Sequence, residues 1–107
     1  MKDFNFKKGT MHLWAENDGQ QAINDFLEAC ILNMEAKDRF FWLGFTIPGA
    51  PEASAVPGRL QREMLGSYFL EGNMQAGDDH KWISFTADQV EGIIFEEGCL
   101  INVELRN

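Results

Sequence analysis

The chain has 107 residues, of which 45% are hydrophobic and 24% charged, and its formal net charge at pH 7 is −8. These values predict one globular domain over residues 1–107, which buries a core without metal or disulfide support. The acidic balance disfavours binding to nucleic acids and to anionic membranes, because both need clustered lysine and arginine. It favours instead a basic protein partner.

The N-terminal third predicts a β-hairpin and a long helix. Residues 4–6 alternate in polarity, residues 7–9 read as a turn and residues 11–14 as a second strand. Asn17-Asp18-Gly19 supplies an N-terminal cap for a helix over residues 18–37. Its apolar residues fall within one narrow arc at 100° per residue and predict the buried face: Ile23, Phe26, Leu27, Cys30, Ile31 and Met34.

The outer face of this helix carries carboxylates around one apolar residue. Asp25, Glu28 and Glu35 fall opposite the buried arc, and Leu32 falls among them. An exposed leucine on its own needs no explanation. An apolar side chain ringed by carboxylates is also what an anchor for a basic partner would look like.

The middle of the chain predicts strands and one loop. Residues 39–47 are apolar and aromatic, which predicts a central strand buried on both faces. Residues 48–58 hold all three prolines and predict a loop that is a candidate contact surface. Residues 59–71 fit either a helix or a strand; the interior glycine and the run 68–70 favour a strand, and Tyr68 is a second candidate anchor.

The C-terminal third predicts a polar turn, a strand, a capped helical turn and a hairpin. Residues 72–81 form the turn, and residues 82–86 a strand that pairs back on residues 64–70. Thr86-Ala87-Asp88-Gln89 matches a capping box for a turn over residues 87–91. Residues 92–95 and 99–105 flank Glu96-Glu97-Gly98 as a hairpin. The predicted fold is α+β, an antiparallel sheet of about five to seven strands with one long amphipathic helix packed on one face.

The search for chemistry is negative. Asp78-Asp79-His80 lies in a turn that points its side chains in different directions, so a solvated turn is expected rather than a metal site. No phosphate-binding, dinucleotide-binding, serine-hydrolase or zinc-protease motif is present, so no catalytic residue, cofactor or metal is assigned. Cys30 and Cys99 lie in apolar runs and are expected to be buried, reduced thiols of a cytoplasmic protein without a leader or a membrane span.

Protein binding is therefore the expected function, with an immunity protein or antitoxin that neutralises a basic, nuclease-like bacterial toxin as the specific hypothesis. The alternatives are a small-ligand-binding or catalytic domain with the aromatic residues 40–45 lining a pocket, and a phage-encoded DNA mimic that blocks a host defence enzyme. The chain is expected to be a monomer or a homodimer. The candidate contacts are Glu16, Asp18, Asp25, Glu28, Leu32, Glu35, Tyr68, Asp78, Asp79, Glu96 and Glu97.

Overall fold

The computed structural model describes residues 10–50, 55–64, 66–72, 80–96 and 99–106. The helices are α1 (Ala15–Asp18) and α2 (Gln20–Lys37), and a single 3₁₀ turn covers Ala87–Gln89. The strands, in chain order, are β1 (Thr10–Trp14), β2 (Phe41–Thr46), β3 (Val56–Met64), β4 (Ser67–Gly72), β5 (His80–Thr86), β6 (Val90–Glu96) and β7 (Leu100–Leu105).

The strands form one sheet in the order β1-β6-β7-β2-β3-β4-β5. The predicted α+β class with one long helix is confirmed, but the prediction of a purely antiparallel sheet is wrong because β2 pairs with β7 in parallel. Counting directions across the sheet, β1 and β2 run the same way, so α2 is the crossover between two parallel strands. The β6–β7 hairpin lies between those two strands, so no local sequence pattern indicates the parallel pairing of β2 with β7.

Helix α2 covers one face of the sheet. The six residues of the predicted arc are all buried, and Phe26 meets Phe95 of β6 edge-on at 5.8 Å between ring centroids. Helix α2 begins at Gln20, two residues later than the predicted start at residue 18, because Asn17 and Asp18 belong to α1. Gly19, at φ 91°, separates the two helices and precedes α2 without a side-chain cap. The helix ends at Lys37 and is capped by Asp38, which adopts the left-handed conformation at φ 49°.

The central strand is buried on one face only. β2 is the fourth of seven strands, as its apolar run predicted, and Phe41 and Leu43 lie in the core. Burial on both faces is wrong, because Trp42 keeps 49% of its surface exposed. The residues 59–71 are two strands rather than a helix or one strand. Gly66, at φ 78°, lies in the turn between β3 and β4, where a side chain would be strained.

The C-terminal half follows its sequence pattern closely. β5 pairs with β4, the side-chain oxygen of Gln89 accepts a hydrogen bond from the Thr86 amide at 2.8 Å, and β6 pairs with β7 as a hairpin. β1 pairs with β6, whereas the predicted hairpin partner, residues 4–6, lies outside the described residues. The first cysteine, Cys30, is buried as predicted; Cys99 is exposed, so that prediction is wrong.

Candidate functional site

The outer face of α2 presents the predicted combination of carboxylates and an apolar side chain. Leu32 keeps 50% of its surface exposed, and Glu35 beside it is also exposed. Asp25, two turns before Leu32 on the same face, accepts a hydrogen bond from Gln21 at 2.9 Å. The face forms because the buried arc of the helix fixes its rotation against the sheet, which turns these positions outward. We call Asp25, Glu28, Leu32 and Glu35 the acidic helix face.

Glu28 differs from its neighbours because its carboxylate is paired with an arginine within the protein. Arg62 on β3 donates to both of its oxygens, with Nε 3.1 Å from Oε2, and the Tyr68 hydroxyl donates to Oε2 at 2.6 Å. Burial raises the pKa of Glu28, but the hydrogen bonds and the positive charge of Arg62 outweigh it and leave this pKa lowered. Glu28 therefore ties the helix to the sheet, and Asp25 and Glu35 supply the outward charge.

Tyr68 is not the exposed anchor that the sequence suggested. Its side chain has no exposed surface, and its hydroxyl lies 2.8 Å from Asn24 Oδ1 as well as 2.6 Å from Glu28. Burial, followed by the hydrogen bond to Glu28 and its negative charge, raises the pKa of Tyr68 well above its ordinary value. The residue is placed inside because β4 alternates, and Tyr68 shares the inward side with Leu70.

The remaining acidic candidates do not join this face. Glu16 and Asp18 lie exposed on α1, where Asp18 Oδ2 accepts a hydrogen bond from the Trp14 amide at 2.9 Å. Glu96 is exposed at the far end of β6, opposite Thr10, whereas α1 follows the Trp14 end of β1. Asp78, Asp79 and Glu97 lie outside the described residues. The acidic contacts are therefore spread over separate surfaces.

The face of the sheet opposite α2 carries a feature that the sequence reasoning missed. Trp42 lies beside Leu100 of β7 and Pro57 of β3, its partners in register. Phe40, also 49% exposed, precedes it by two residues and lies under the Arg59 guanidinium, whose central carbon is 4.6 Å from the ring centroid. We call Phe40, Trp42, Pro57, Arg59 and Leu100 the aromatic patch. Side chains alternate between the two faces of β2, so knowing that one face is buried would have predicted that Trp42 is exposed on the other.

A histidine–glutamate pair lies on the same open face. His12 Nε2 is 3.0 Å from Glu104 Oε1, and the His12 and Trp14 rings stack with centroids 4.2 Å apart. Gly92 on β6 lies between β1, which carries His12, and β7, which carries Glu104. A Cβ at Gly92 would come within 3.0 Å of the Trp14 ring. The missing side chain is thus what lets the rings of β1 lie across β6. No local sequence pattern indicates this pair, since 92 residues separate its members.

The chemistry available to these groups is limited. No cluster of three or more potential metal ligands occurs among the described residues. The Thr46 hydroxyl, on the residue in register with Glu104, accepts a hydrogen bond from Asn102 Nδ2 at 3.1 Å. Neither helix of the described segments has the length and apolar character needed to cross a bilayer.

One concave site lies at the end of α2. It has a volume of about 330 Å³ and is lined by Gln20, Gln21, Asn24, Gly66, Ala87 and Asp88. Three amides and one carboxylate lie around it, but most of its wall is apolar, as in small-molecule sites. The aromatic residues 40–45, which the sequence suggested as a pocket lining, do not line it.

Comparisons with protein-family models, with curated proteins and with solved structures found no match for this chain.

Proposed function

We propose that this protein is a small acidic inhibitor that binds directly to a basic protein, in the manner of an immunity protein or antitoxin neutralising a nuclease-like bacterial toxin. The observation that carries the proposal is the acidic helix face, where half-exposed Leu32 lies between Asp25 and Glu35 on the outer surface of α2. The net charge of −8 gives the whole molecule the sign that attracts a basic partner.

Each part of this face has a separate role in binding. The carboxylates of Asp25 and Glu35 accelerate encounter with a positive surface, an effect that falls as salt screens it. Leu32 provides apolar area that is removed from water on contact, which acts mainly on the rate of dissociation. Glu28 is matched by Arg62 within the chain, so its charge contributes less to attraction than its position suggests.

The test begins with the partner. Tagged protein is exposed to a lysate of the cells that produce it, at low and then moderate salt, and retained proteins are identified by mass spectrometry. The retained protein is then purified and its own enzymatic activity is titrated with this chain. The proposal expects loss of that activity at one-to-one stoichiometry. A basic partner whose activity is unaffected at saturation contradicts inhibition, and the absence of any partner at low salt contradicts the proposal itself.

Variants on the acidic helix face locate the contact. Glu35→Lys should slow association and flatten its dependence on salt. Glu91→Lys is the matched control, because Glu91 is also an exposed glutamate and the change in charge is identical. Leu32→Ser should accelerate dissociation with little effect on association. Equal effects of the two lysine variants would show that net charge alone, and not this face, attracts the partner. Glu28 is unsuitable, since its loss also breaks contacts inside the protein.

The pocket at the end of α2 favours a second candidate, binding of a small ligand by apolar contact and by hydrogen bonds to the amides of Gln20, Gln21 and Asn24. A thermal-shift screen with metals and common metabolites tests it, because a ligand that binds only the folded state raises the melting temperature. The Asn24→Ala variant should abolish such a rise. An unchanged melting temperature across the screen would remove support for this candidate.

A further inference from the structure

We propose that the pocket at the N-terminal end of α2 binds a guanidinium group carried on a short alkyl chain. The inference rests on the second candidate function above, because both use this pocket, and it names the class of ligand. It does not depend on the inhibitor function, which uses the outer face of α2. The pocket holds about 330 Å³ and its wall is mostly apolar, so the few polar groups around it decide which ligand is accepted.

The two glutamines of the pocket have their NH₂ groups bound within the protein. Gln20 Nε2 donates to the main-chain carbonyl oxygen of Ala87, and Gln21 Nε2 donates to the Asp25 carboxylate at 2.9 Å. A carbonyl or a carboxylate can only accept, so the NH₂ end of each amide must face its partner. The end of each amide that is left for a ligand is therefore the oxygen, which is an acceptor.

Asn24 adds a third acceptor through its contact with Tyr68. The Tyr68 hydroxyl lies 2.6 Å from the Glu28 carboxylate and 2.8 Å from the Asn24 amide. A phenol has one proton, and a charged carboxylate is a stronger acceptor than an amide. The phenol oxygen is then best satisfied by the NH₂ group of Asn24, which leaves the carbonyl oxygen of this side chain for a ligand.

Asp88 supplies the negative charge of the pocket. Its Oδ1 accepts a hydrogen bond from the Thr86 hydroxyl, and its Oδ2 has no hydrogen-bond partner among the described residues. Arg106 Nε donates to the main-chain oxygen of Asp88 at 3.2 Å, but no ion pair joins Arg106 to the Asp88 carboxylate in the described part of the chain. This carboxylate is therefore available to a cation from solution.

The N-terminus of α2 favours the opposite charge, but its effect is weaker. A helix macrodipole places about half a positive charge at the N-terminus, which attracts anions. Asp88 carries a full negative charge, and Asp25 adds another beside Gln21. Gln20 and Asn24 are four residues apart on one side of the helix, so the pocket opens beside the first turn rather than on the helix axis. A cation is therefore favoured over an anion.

The arrangement of acceptors selects a guanidinium over an ammonium group. A guanidinium has five N–H donors in a planar fork and is weakly hydrated, whereas an ammonium has three donors and is strongly hydrated. The pocket offers three amide oxygens and one carboxylate in an otherwise mostly apolar wall, which suits several donors and a short alkyl chain. A Cβ on Gly66 would meet no atom within 4 Å, so the wall leaves open space at that point.

Nuclear magnetic resonance titration of nitrogen-labelled protein with three probes of similar length tests the inference. Butylguanidinium carries the positive charge and all the donors, butylurea is neutral and has an oxygen in place of one nitrogen, and pentanoate is an anion without donors. Butylguanidinium should bind in the millimolar range and more weakly as salt is added. It should shift the side-chain amide signals of Gln20, Gln21 and Asn24. Butylurea and pentanoate should bind roughly tenfold more weakly or worse.

Two variants with the same change in charge locate the site. Asp88→Asn removes the charge but keeps an oxygen that can accept from the Thr86 hydroxyl, and it should weaken binding of butylguanidinium roughly tenfold. Glu35→Gln is the matched control, since Glu35 is exposed near the other end of α2, and it should bind butylguanidinium like the wild type. The amide spectrum verifies that each variant is folded, and the comparison of the three probes on the wild type needs no variant.

The outcomes separate this inference from the second candidate function. Binding of butylurea or pentanoate in the same pocket as tightly as butylguanidinium overturns the inference and leaves the second candidate standing. Equal binding of butylguanidinium by folded Asp88→Asn and Glu35→Gln also overturns it, because Asp88 would then not hold the cation. Absence of binding by butylguanidinium overturns it as well, and the metabolite screen then decides the second candidate on its own.

Discussion

Replacing Tyr68 by phenylalanine would remove one buried hydroxyl and keep the ring that packs in the core. A phenol carries one proton and so donates to one acceptor at a time. Glu28 is charged and lies closer, at 2.6 Å against 2.8 Å for Asn24, so it is the stronger acceptor. Asn24 completes the network best with its amide NH₂ group turned toward the phenol oxygen.

The expected loss follows from this arrangement. A hydrogen bond to a charged group contributes about 1.5–3 kcal/mol, and Glu28 retains Arg62 after the substitution. We therefore expect Tyr68→Phe to lower the free energy of unfolding by about 2 kcal/mol. For a chain of this size that corresponds to a fall in melting temperature of roughly 10 °C.

Urea unfolding measures this loss, and a double-mutant cycle with Glu28→Gln isolates the charge-assisted part. In the Glu28→Gln background a neutral hydrogen bond remains, so Tyr68→Phe should cost about 1 kcal/mol there. The two positions are then coupled by about 1 kcal/mol. Equal costs in both backgrounds would refute the argument that the Glu28 carboxylate holds the phenol proton.

Three further predictions use the same structure. Tyr68 is the chain's single tyrosine, and its pKa is raised. Tyrosinate absorbance of the folded protein should therefore stay absent through the pH range where free tyrosine ionises. The free energy of unfolding should fall as pH rises through that range, because only the unfolded chain loses the proton. The pKa of Glu28 is lowered, so its contribution is complete above the ordinary glutamate pKa and is lost as pH falls through the lowered value; urea titrations should show Glu28→Gln losing less stability in acid than the wild type. Gly58→Ala should cost about 2 kcal/mol or more in urea unfolding, because the new Cβ would lie 2.1 Å from the Glu71 carbonyl oxygen, whereas Gly44→Ala meets the movable side chain of Asn102 at 2.8 Å and should cost less.

The parts of the fold that depend on local pattern were predictable. The buried arc of α2, the Thr86 capping box and the β6–β7 hairpin each rest on contacts between residues close in sequence. The pairing of β2 with β7 joins residues nearly 60 positions apart, and periodicity carries no information about such a partner. The error over burial of β2 has the same origin, since an apolar run does not show whether one or two layers cover a strand.

The positions of the candidate contacts were predictable only in part. Sequence periodicity placed Asp25, Leu32 and Glu35 correctly on the outside of α2, because the helix alone decides which way they point. It could not foresee that Arg62 would neutralise Glu28, or that Tyr68 would turn inward. Both depend on how β3 and β4 lie against α2. The pairing of His12 with Glu104 likewise requires β1 and β7 to flank Gly92.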